Sequence, residues 1–146
     1  RDGRCQIRNQ TMIALDTNIL ARLVTNDDPV QASQSAALID TGNALFVPFT
    51  VMLELEWVLR GAYALDKPDI VRSFEGLLSV RNINFERQSD IQLALQYYQL
   101  GFDFADALHH AGSIGCKALA TFDQRFKKLA TKAKLKPPVI APTSVA

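Results

Sequence analysis

Cysteine is scarce in this sequence: Cys5 and Cys116 are the only two, far apart and in no C-x-x-C arrangement. They imply neither a zinc site nor a disulfide framework, and a reducing cytoplasm is the default setting. Net charge is almost absent as well, because 16 Lys and Arg against 15 Asp and Glu leave a formal +1. That excludes a global polycation built for nucleic acid or for a membrane surface. Long apolar runs are missing: the most apolar stretch, residues 44–53, contains Pro48 and Thr50 and stops at Glu54. It falls well short of the roughly 20 residues a membrane span needs. No targeting segment, internal repeat or low-complexity tract is visible.

What is present is ordinary globular material, with 48% hydrophobic and 21% charged residues, 7 Gly and 6 Pro in 146 residues. A chain of this size buries roughly two-thirds of its unfolded surface, enough for a core without staples. Residues 1–11 are polar and precede Met12, where a sharply apolar segment begins. They read as an upstream or artificially appended leader, with Met12 as the natural start and residues 12–146 as a single domain. Charge is unevenly distributed: residues 117–136 hold seven bases (Lys117, Arg125, Lys127, Lys128, Lys132, Lys134, Lys136) and one acid, Asp123. Elsewhere acids outnumber bases.

Apolar patterning predicts short strands separated by helices. A strand at residues 12–15 ends in Asp16, and residues 18–24 have helical spacing. Asp27, Asp28 and Pro29 supply a cap and an N1 proline for a helix over 29–40, with Ala32, Ala36, Leu38 and Ile39 as its apolar side. A second strand at 44–47 precedes a helix capped by Thr50 and running to Leu65, with Leu53, Trp57 and Leu59 near one face and Glu54 in its first turn. Asp66 and Pro68 restart a helix, and 82–85 reads as a third strand. A helix over 89–100 is broken by Gly101, another runs from Asp103 to about Ile114 with Gly115 ending it, and 117–121 reads as a strand. Phe122 and Asp123 lead into a last helix, and Val139 and Ile140 form a final strand. Together these elements predict a three-layer α/β/α domain with a mainly parallel sheet flanked by helices.

In open α/β sheets ligands bind at the carboxyl ends of the strands. Asp16 ends the first strand, Asp123 follows the fourth, and Glu54 comes shortly after the second. Asp106 lies in the first turn of the helix opened by Asp103, on the same face at i,i+3. Each acid has a plain structural role open to it as a helix cap. As a set they sit in apolar sequence with no base adjacent to Asp16, Glu54 or Asp106. Converging carboxylates of that kind raise one another's pKa unless a cation joins them. Carboxylate oxygens suit Mg²⁺ or Mn²⁺, which can activate water and stabilise a departing phosphate-ester oxygen.

The strand followed by DTNIL at Asp16, LEL around Glu54, the DFADALHHA run and TFDQRF resemble, in order, the motifs of PIN-domain nucleases, and among them the VapC-type toxins of toxin–antitoxin pairs. The resemblance runs from Met12 to about Ile140. It implies an endoribonuclease using one or two Mg²⁺ or Mn²⁺ ions, in which the acidic positions fall on Asp16, Glu54, Asp106 and Asp123, with Asp103 able to replace or assist the third. Thr17, Asn18 and Thr121 match the polar positions that orient ligands. It further implies an RNA substrate, a homodimer and an antitoxin that blocks the cleft. A metal-dependent phosphatase and a non-catalytic partner-binding module are the alternatives. Against the phosphatase, Asp16-Thr-Asn lacks the second Asp two residues on that a phosphoaspartate motif supplies.

Other residues have quieter expectations. Glu56 should point away from Glu54 as a solvated or partner-facing acid. His109 and His110 read as packing residues. Trp57, Tyr63, Tyr97 and Tyr98 suggest core or subunit contact. The basic run, especially Arg125, Lys127 and Lys128, could meet RNA phosphates or be a solvated surface, and Arg22, Arg60 and Arg72 are weaker candidates for the same contact.

Overall fold

A computed structural model describes residues 11–144. All but the last residue of the expected leader therefore lies outside the described residues. The chain divides into two compact units, one ending at Gln88 and one beginning at Ser89. Among the described residues no helix is long and apolar enough to cross a membrane.

The first unit is built on a three-stranded sheet, β1 (Ile13–Ala14), β2 (Leu45–Val47) and β3 (Ile83–Phe85), in that spatial order. Both pairings are parallel, with Ile13 opposite Leu45 and Leu45 opposite Ile83. Parallel neighbours need crossovers. Helices α1 (Thr17–Thr25) and α2 (Pro29–Asp40) provide the first, and α3 (Phe49–Gly61) and α4 (Lys67–Leu78) the second. Leu20, Leu45, Val47, Met52, Leu55, Leu59, Ile70 and Phe74 form the buried core.

In the second unit α5 (Gln88–Gln99) and α6 (Phe104–Ala111) precede β4 (Leu119–Ala120), α7 (Gln124–Lys132) and β5 (Val139–Ile140). β4 and β5 pair in parallel, with α7 as their crossover. Rings stack edge-on through the core: Tyr98 on Phe104 with centroids 5.3 Å apart, and Phe102 on Phe126 at 6.2 Å. His110 is fully buried, its Nε2 2.8 Å from the Pro137 carbonyl oxygen and its ring edge-on to Tyr97. Because a carbonyl only accepts, Nε2 carries the proton. This histidine is a core residue, as expected.

The fold is therefore α/β with parallel pairing throughout, and several local expectations are corrected. Thr50 does not cap α3, which begins one residue earlier, at Phe49; its N-cap position is Pro48, which has no side-chain acceptor. The Glu86 carboxylate, just past β3, accepts the Phe49 N–H at 2.7 Å instead. Glu54 consequently sits in the second turn. The helix ends at Gly61 rather than Leu65, and its buried face is Val51, Met52, Leu55 and Leu59, leaving Trp57 64% exposed. Trp57 is thus no core residue. In α2 the buried residue is Ser35, and Ala36 is exposed, because an alanine-rich helix has little apolar contrast to fix its rotation. α6 stops at Ala111, with Gly112 rather than Gly115 at its C-cap. Gly101 does break the chain between α5 and α6, with φ +109°, a conformation open to glycine and rarely to other residues.

The distant cap of α3 is testable. Glu86→Ala leaves the first N–H of a largely buried helix without its acceptor, and stability should fall by about 1 kcal/mol, read as a lower urea midpoint at unchanged slope.

Candidate active site

Three of the candidate acids, Asp16, Asp103 and Asp123, are fixed as helix caps. The β1 ladder continues to Leu15, whose N–H donates to the Phe46 carbonyl at 2.8 Å. The next residue, Asp16, is the N-cap of α1, and its Oδ1 accepts the Thr17 N–H at 2.7 Å. Thr17 is buried, and its hydroxyl donates to Glu54 Oε1 at 2.5 Å. One residue therefore holds both acids of the first unit, its backbone on Asp16 and its side chain on Glu54. The carboxylate of Glu54 lies on the exposed side of α3, whereas Glu56 is on the buried side. Asn18 is exposed beside them.

The second unit repeats the arrangement. Asp103 is the N-cap of α6, with Oδ2 accepting the Asp106 N–H at 3.3 Å. Asp123 is the N-cap of α7, with Oδ1 accepting the Phe126 N–H at 3.0 Å. The Asp123 N–H in turn donates to Thr121 Oγ1 at 3.0 Å, so the threonine positions the acid. Capping occupies one carboxylate oxygen, which leaves the second able to meet a ligand. The capping reading and the ligand reading of these aspartates are compatible.

Asp106 is the strained member. Its carboxyl is held above the usual aspartate value, first by burial and then by the negative charges of Asp103 and Asp123, while His109 and Arg125 pull the other way. Like charges gathered on a partly desolvated carboxylate are what a divalent cation relieves. Among the described residues no group of three or more His, Cys, Asp and Glu side chains is drawn together tightly enough to hold a metal ion. The donor chemistry fits a hard cation all the same, since Mg²⁺ keeps several waters and needs only one or two carboxylates besides substrate oxygens.

Several residues outside the acidic set have partners of their own. Glu56 is buried rather than solvated, and Arg60 Nε reaches back one turn to its Oε2 at 2.8 Å. Arg22 donates to Asp27, Gln31 and Tyr63, and Arg72 pairs with Asp69. Each of these three arginines has a carboxylate partner in the fold. Tyr63 OH also donates to Asp27 at 2.9 Å, so this tyrosine belongs to a polar cluster; that cluster and the Glu86 cap are not apparent from sequence spacing.

A family model for the PIN domain matches residues 13–132, a span that takes in both units and all five acids. The chain belongs to the PIN-domain family. It is similar to a VapC ribonuclease of Aquifex aeolicus (strain VF5), at 31% identity over 127 residues, covering 83% of this chain and 94% of that protein. In this PIN domain Asp16, Asp103 and Asp123 are held as helix caps and Glu54 by the Thr17 hydroxyl.

The raised Asp106 makes a signed prediction. Its folded pKa lies above the unfolded one, so the folded state holds the proton more tightly and stability declines as pH rises from the unfolded value through the folded one. In EDTA, Asp106→Asn should therefore match the wild type at acid pH, where both carry no charge there, and become the more stable of the two by neutral pH. Denaturant midpoints across pH check it; equal midpoints throughout would deny the shift.

Proposed function

We propose that this chain is a metal-dependent endoribonuclease that hydrolyses RNA phosphodiester bonds, acting as the toxin of a toxin–antitoxin pair. The observation that carries the reading is the Thr17 junction, which ties Asp16 and Glu54 together beside the end of a parallel strand. Membership of the PIN family and similarity to a VapC ribonuclease support it. Asp16, Glu54, Asp106 and Asp123 would hold one or two Mg²⁺ or Mn²⁺ ions, with Asp103 assisting. A bound ion would lower the pKa of a water and offset charge on the phosphate oxygens.

The chain's own residues do the positioning. The helix N-termini hold Asp16 and Asp123 in place through their cap bonds. Thr17 fixes the Glu54 rotamer, Thr121 holds the Asp123 backbone, and Asn18 is exposed next to Asp16 to orient substrate oxygens. Partial burial of Asp106 lowers the local dielectric, which strengthens every charge interaction at the reacting phosphate. In this reading the protein works as a homodimer in the cytoplasm, restrained by an antitoxin; the exposed Trp57 supports a subunit or partner contact.

The test is cleavage of a mixed cellular RNA pool with Mg²⁺, Mn²⁺ or EDTA, with any copurified antitoxin removed. Discrete metal-dependent fragments are expected. Asp16→Asn should abolish them, and Thr17→Val, which removes only an orienting hydroxyl, should slow cleavage about 10- to 100-fold. Hydrolysis of a small phosphoester with intact RNA would overturn the reading in favour of a phosphatase, and an unaltered biological effect of Asp16→Asn would leave a binding module.

A further inference from the structure

The positive charge of this chain divides into two kinds. Arg22, Arg60 and Arg72 are spent on Asp27, Glu56 and Asp69. Helix α7 is different: QRFKKLATK carries Arg125, Lys127, Lys128 and Lys132 and no acid. Among the described residues no carboxylate forms an ion pair with those three lysines. Nor are they scattered over a convex face. Lys127, Lys128 and Lys132 line a groove of about 410 Å³ where α7 packs on β5, with Val139 and Ile140 at its apolar wall and Ser144 at its edge.

The groove is in register with the candidate acids. α7 starts at the Asp123 cap, and a helix rises about 1.5 Å per residue, which puts Lys127 and Lys128 roughly 6–8 Å and Lys132 roughly 13 Å further along the axis. A polynucleotide with one phosphate at Asp123 would present its next phosphates along that line. The groove holds no aromatic ring on which a base could stack, and lysine ammoniums are flexible point charges that carry no base code. Charges from a single helix face follow one backbone rather than the two of a duplex. An anionic membrane fits less well, because Val139 is buried and Ile140 half-buried rather than projecting.

We propose that the α7–β5 groove is a track for the backbone of single-stranded RNA, in which Lys127, Lys128 and Lys132 hold the phosphates that flank the one at the acids. The identity of the polyanion rests on the ribonuclease reading; the track itself is tested without cleavage.

The experiment measures binding of a fluorescent single-stranded RNA to the full chain in EDTA across a potassium chloride series, for the wild type and the triple variants Lys127→Gln/Lys128→Gln/Lys132→Gln and Lys127→Arg/Lys128→Arg/Lys132→Arg. Each single-strand phosphate contact contributes about 0.7 to the salt slope, so the glutamine variant should lose about 2 from it and at least about tenfold in affinity. The arginine variant should restore both. A glutamine variant with the wild-type slope overturns the track, as does tighter binding of the wild type to phosphatidylserine vesicles than to RNA. Giving the same proteins a mixed cellular RNA pool with Mg²⁺ or Mn²⁺ separates the two readings: no cleavage by the wild type defeats the ribonuclease reading, whatever the slopes show.

Discussion

A carboxylate at the first turn of a helix answers backbone N–H groups that have no partner within the helix, and the arrangement of the candidate site depends on that interaction. Asp16, Asp103 and Asp123 all cap helices that begin within a few residues of a strand end or a glycine break. The cap immobilises each side chain without desolvating it completely. A free aspartate on a loop would need other contacts to be held as well. Here the same bonds that start the helices also aim the acids, so folding the chain and building the site are one process.

Threonine is the second recurring device. Thr17 is buried while its neighbours Asp16 and Asn18 are exposed, because a residue in the first helical turn can turn its side chain inward as its N–H faces the cap. Its hydroxyl reaches Glu54 across two elements. Thr121 acts from the other side, accepting the Asp123 N–H. Replacing either by valine keeps the shape and removes the bond, which separates the orienting role from packing.

Much of this was legible in the sequence because its causes are local. Aspartate before a helix, proline at N1, glycine after a helix and alternating short apolar runs are decided within a few residues, so α1, α2, α4 and β5 stand close to where patterning puts them. What escaped was decided by distance. Glu86, 37 residues from Phe49, caps α3 in place of Thr50. The rotation of α3 that buries Glu56 and exposes Trp57 depends on which neighbours the helix meets, and the spacing of Leu53, Trp57 and Leu59 could not reveal it. The three arginines look identical to free cations in sequence, and only the folded chain shows their carboxylate partners. The candidate acids themselves were legible as a set of motifs, while the bonds that hold them were not.

Asp106 separates stability from use. Nothing in the fold requires a carboxylate there: Asp103 caps through the Asp106 backbone N–H, which any residue but proline supplies. The side chain is partly buried, faces two like charges and is held above its ordinary pKa, so the folded protein would be better served by an uncharged group of the same shape. A carboxylate held in that way supports the proposed use of Asp106 as a ligand, because like charges around a partly desolvated acid are what a cation relieves.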